Sequence, residues 1–81
     1  MEKFTIDSMM AAIDKAGENT LVMVNINALE ISVGEFLSIA HDCNDVYKSE
    51  KGEEARIKIV SVGDGSFYIT LVNENTMAVA V

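Results

Sequence analysis

The chain has eighty-one residues, 49% of them hydrophobic, with no proline and one cysteine; this predicts one small ordered domain spanning 1–81 and excludes a second domain or an internal disulfide framework. Thirteen acidic against six basic residues give a formal charge of -7, which opposes direct binding to nucleic-acid phosphates or an anionic membrane and favours a protein partner with a basic surface. The start MEKFTIDSMMAAID has neither a basic leader nor an apolar core of signal length, and no apolar run reaches the roughly 20 residues that span a bilayer, so a cytoplasmic protein without a membrane role is expected.

In chain order, the first element is a short helix. Asp7 or Thr5 can cap it, Ile6, Met10 and Ile13 recur at helical spacing, and Gly17 stands where a left-handed residue would end it. After the turn GENT, the run TLVMVNIN over residues 20–27 alternates Val22, Val24 and Ile26 with Leu21, Met23, Asn25 and Asn27, the period of a strand with its valine side toward the core. ISVGEF then opens a second helix: Ser32 and Glu35 have capping-box spacing, and Ile31 and Phe36 that of a hydrophobic staple.

This helix should run from about Val33 to Lys51 and stop at Gly52. Advancing each residue by about 100° places Phe36, Ile39, Ala40, Cys43, Val46 and Tyr47 on one side and Glu35, Ser38, Asp42, Asp45 and Ser49 on another. One face is for the core and the other is an acidic stripe. ARIKIVSV, GDG and SFYITLVN follow as a hairpin in which Ile57 and Ile59 meet Phe67, Ile69 and Leu71, and MAVAV reads as a last strand after the turn NENT. The expected fold is α+β: helix, strand, helix and a three-stranded antiparallel meander, about four strands with two helices, the second helix crossing one sheet face after a right-handed crossover.

Chemistry is sparse. In HDC, helical geometry points His41 and Cys43 about 160° apart, so they cannot act together, and Cys43 falls on the core face as an inert thiol. His41 and Asp45 are four apart but have no third ligand, so no metal site is expected. GDGS leads into a strand, not into the helix a phosphate loop requires, and Ser66 has no predictable base. No catalytic residue, cofactor or metal is assigned, and an enzyme is disfavoured.

Two surfaces remain as candidates for binding. The hairpin face opposite the core carries Arg56, Lys58, Val60, Val62, Tyr68, Thr70 and Val72, and with Leu21 and Met23 it is unusually apolar for a solvated sheet face. Either the first helix or another molecule covers it. MAVAV, with Val79 at its centre, has no charge or proline to protect it against edge pairing and offers a route to a homodimer. The acidic stripe, Glu35, Asp42 and Asp45, fits a basic groove on a partner, although a solvated helix face is the commoner role of such a pattern.

From ISVGEFLSIAHDCNDVYKS through ARIKIVSVGDGSFYITLV the chain resembles small uncharacterised bacterial or phage-borne domains in which a helix precedes a hairpin whose second strand opens with glycine, serine and an aromatic. The resemblance covers about half the chain. It implies a fold element and transfers no catalytic residue. The expectation is a small acidic protein-binding module, of the type of a phage or mobile-element inhibitor of a nucleic-acid-processing complex such as an anti-CRISPR protein, acting by stoichiometric binding. The alternative is a self-associating module that dimerises through MAVAV or the outer sheet face. The partner-binding residues are Glu35, Asp42, Asp45, Tyr68 and Val79.

Overall fold

The computed structural model describes residues 4–73. Helix α1 spans Ile6–Ala16, strand β1 Val22–Asn25, the single-turn helix α2 Ile26–Leu29, helix α3 Val33–Lys51, and strands β2 and β3 Ala55–Gly63 and Ser66–Asn73. The fold is α+β, with three antiparallel-paired strands in the order β1-β3-β2. No helix among the described residues is long and apolar enough to cross a membrane.

Local signals set the helix ends. Thr5 caps α1 in a capping box completed by Ser8, and Ser32 caps α3 in a box completed by Glu35. Gly17 and Gly52, at φ 91° and 104°, end the two helices where a side chain would be strained. The hairpin turn Asp64–Gly65 joins β2 to β3 with φ 54° and 76°, the positive pair that a type I′ turn requires. The predicted face pairs Ile57 with Leu71 and Ile59 with Ile69.

One element differs from the sequence reading. The first strand stops at Asn25 and not at residue 27, because the Asn25 side chain turns back to accept the Ala28 N–H at 2.9 Å and starts α2. The sequence left strand order open; in the sheet β3 has β2 on one edge and β1 on the other over Ser66–Ile69. β1 and β2 therefore run parallel but are separated by β3, and the crossover through α3 passes over that strand, where Phe36 packs on Phe67. MAVAV, including Val79, lies outside the described residues.

The core is one cluster. Met9 and Ile13 from α1 and Phe36, Ala40, Cys43 and Tyr47 from α3 pack on Val24, Ala55, Ile69 and Leu71 of the sheet. Phe36 stacks on Phe67 with ring centroids 4.7 Å apart. Both long helices thus cover the same sheet face. Of the two explanations weighed for the apolar outer face, cover by α1 is excluded, and Leu21, Met23, Val60 and Val62 stay exposed.

Candidate functional site

Two capped helix starts meet at one side of the molecule. The α1–α3 contact is fixed by α3 side chains that reach the α1 backbone. The Cys43 thiol points at the Ile6 carbonyl oxygen at 3.6 Å, and the Tyr47 hydroxyl donates to Asp14 Oδ1 at 2.8 Å and approaches the Met10 carbonyl oxygen at 3.3 Å. These bonds hold the first turn of α1 beside the third turn of α3.

An open groove of about 540 Å³ runs between them. Phe4, Ile6 and Ile39 supply its apolar lining, and Glu35, Ser38 and Asp42 its polar side. Glu35 and Asp42 are seven residues apart on α3, so about 10 Å of helix separates them. The Glu35 carboxylate also accepts the Ser32 N–H at 3.2 Å while Ser32 Oγ accepts the Glu35 N–H at 3.1 Å, which ties this acid to the rigid cap.

Burial pushes the Cys43 thiol up to about 11, and the carboxylates of Asp42 and Asp7 add to the effect. A protonated, fully buried thiol is a packing group, as the helical spacing predicted. Burial likewise raises Tyr47, assisted by its hydrogen bond to Asp14.

The five sequence-predicted partner residues are not gathered in one place. Glu35 and Asp42 share the groove. Asp45 instead stands 3.7 Å from His41, both side chains well exposed, and does not line the groove. Tyr68 is in the sheet, paired with Met23 and Val60 on the face away from the helices, and Val79 is outside the described residues. Phe4, Thr5 and Ile6 were missed, since nothing local in the sequence says that α1 packs its first turn beside Ile39 and Asp42.

Asparagines form a second set that sequence reasoning did not single out. Asn25 and Asn27 each donate from Nδ2 to the Asp64 carbonyl oxygen, at 3.3 and 3.2 Å, and Asn25 also donates to Ser66 Oγ at 2.9 Å. Asn44 accepts the Ile57 N–H at 2.9 Å, occupying a donor on the side of β2 away from β3. These are structural roles: a clamp on the hairpin turn and a plug on a sheet edge. No family model, no curated protein and no solved structure matches the chain.

Proposed function

We propose that this chain is a small protein-binding module that recognises a basic, partly apolar surface through the groove between α1 and α3. The observation that carries this reading is that Glu35 and Asp42 line one groove together with Phe4, Ile6 and Ile39. Carboxylates beside an apolar floor suit lysine or arginine side chains, whose stems lie on apolar surface while their charged ends meet the acids. The net charge of -7 would steer such a partner toward the chain and repel nucleic acid itself.

Occupation of a basic groove on a nucleic-acid-processing complex, in the manner of an anti-CRISPR protein, is the form of action this reading favours. Inhibition would then be stoichiometric, by exclusion of the nucleic acid. No step of it requires a catalytic residue or a cofactor.

Capture from a lysate of the source cells tests the reading, comparing the wild-type chain with Glu35→Gln/Asp42→Asn and with Asp45→Asn. A basic protein held by the wild type and by Asp45→Asn, released by salt and lost from the double variant, is the expected result. Capture unchanged in the folded double variant would refute a groove-based interaction.

A further inference from the structure

On the flank of α3 away from the acidic groove, a pocket of about 340 Å³ opens between this helix and β2. His41, Asn44 and Lys48 line it from α3, at intervals of three and four residues that put them on one helix stripe. Arg56, Ile57 and Ile59 line it from β2. In a chain of net charge -7 this pocket gathers the single histidine and two of the six lysines and arginines, and no carboxylate lines it. Its character is the reverse of the groove.

Two neighbouring groups on this stripe are prepared for an anion. Asn44 Oδ1 accepts the Ile57 N–H at 2.9 Å, which fixes the side-chain amide and leaves its Nδ2 hydrogens without a partner among the described residues. Lys48 follows one helical turn later, about 6 Å along the same stripe. It is half-buried, and its ammonium makes no ion pair among the described residues, whose one close cation–carboxylate contact is that of His41 with Asp45 at 3.7 Å. The Ile59 N–H points to the same edge of β2 as the Ile57 N–H, because backbone groups two residues apart share an edge, and no side chain of the described residues accepts it. A partly desolvated cation beside unused N–H donors gains most from a charged acceptor.

We propose that this pocket binds a small organic monocarboxylate, its carboxylate held between the Lys48 ammonium and the Asn44 side-chain amide and its apolar body resting on Leu37, Ile57 and Ile59. The three apolar residues are part of the pocket lining, and its volume stands near the lower end of the range of small-molecule pockets, about 300–1,000 Å³. A single negative charge fits better than the two of a phosphate monoester. The positive lining is small, Asp45 stands beside His41, and the chain as a whole repels each added negative charge. Arg56 adds positive potential at the strand side of the pocket. The site is independent of the α1–α3 groove, which faces the other way.

Titration of phenylacetate into the nitrogen-15-labelled chain tests the site by NMR, with phenylacetamide and inorganic phosphate as comparison ligands. Phenylacetate is expected to give saturable shifts of the Asn44 side-chain amide and the Ile59 backbone amide, and the neutral amide of the same shape to bind at least about tenfold more weakly, as does phosphate. Lys48→Gln should weaken phenylacetate by about tenfold or more, and Lys48→Arg, which keeps the charge, should retain most of the binding. Absence of saturable shifts, equal binding of acid and amide, or saturation at Ile6 and Ile39 in place of Asn44 and Ile59 overturns the proposal. Phosphate binding more tightly than phenylacetate overturns the choice of a monocarboxylate. Should Lys48→Gln not fold, the comparison of acid with amide on the wild-type chain decides.

Discussion

The backbone N–H of Ile26 donates to the carbonyl oxygen of Gly65 at 2.8 Å, joining the β1–α2 corner to the hairpin turn between β2 and β3. With Asn25 and Asn27 bonded to the Asp64 carbonyl, the turn is gripped from a segment far away in the chain. A Cβ on Gly65 would stand 2.6 Å from Asn27 Nδ2, whereas one on Gly63 would meet nothing within 4 Å. Both glycines have positive φ. Gly65→Ala is therefore expected to lose about 2–3 kcal/mol and Gly63→Ala about 1 kcal/mol, read from urea denaturation midpoints. Equal losses would mean that the grip on the turn contributes nothing.

Alkaline pH should weaken the fold. The Cys43 thiol has its ordinary value of 9.0 when unfolded and is pushed to about 11 when folded, so between those values the unfolded chain binds fewer protons. Stability from this source is complete below pH 9, falls as pH rises and levels off above about 11, a total of about 2–3 kcal/mol. Tyr47, also raised in the folded chain, adds a loss of the same sign above pH 10. Denaturation of wild type and Cys43→Ala across this range checks the sign: the variant starts less stable and loses less.

Glu35 serves both the α3 cap and the groove, and the two roles separate by substitution. Glu35→Gln keeps an oxygen that can accept the Ser32 N–H and removes the charge, so stability should change by less than about 0.5 kcal/mol while partner capture falls. Ser32→Ala does the reverse, with about 1 kcal/mol lost and the groove charge intact. Thermal melts paired with binding measurements would reveal the crossed pattern; parallel effects in both variants would show that the groove acts only through the cap.

Thr70 is buried, 7% exposed, and its hydroxyl oxygen has no hydrogen-bond partner among the described residues. A buried polar atom without a partner costs about 1–3 kcal/mol, and valine has nearly the same shape. Thr70→Val should stabilise the chain by about 1 kcal/mol in chemical denaturation. A loss of stability would show that the hydroxyl is bonded in solution.

Much of the helix pattern was legible because its causes are local. Ser32 and Glu35, Thr5, Gly17 and Gly52 each act within one turn of where they stand, and Phe36, Ala40, Cys43 and Tyr47 are buried as their helical period required. Ile26 and Asn27 were misread as strand because the alternation of Val22 and Val24 continues through Ile26, while only the bond from the Ala28 N–H to the Asn25 side chain shows that the strand has ended. Strand order was hidden for a different reason: both hairpin strands point to each other, but nothing near β1 names β3 as its partner. The groove was half visible, since Glu35 and Asp42 share a helix face, and half invisible, since Phe4, Thr5 and Ile6 arrive with α1. Tyr68 was placed correctly on the outer face, and no local signal could relate it to the helix stripe.

Asn25 meets Ser66, 41 residues later in the chain, while the hairpin it joins and the capped α3 depend on neighbours close in sequence. A growing polypeptide consequently presents β1 long before its partner strand exists. α3 and the β2–β3 hairpin can assemble from nearby contacts, whereas the insertion of β1 requires closure of a long loop and carries the larger entropic cost. Until β3 has been synthesised, Val22 and Val24 have no strand to pair with, and that interval is when the newborn chain most needs protection from association with others.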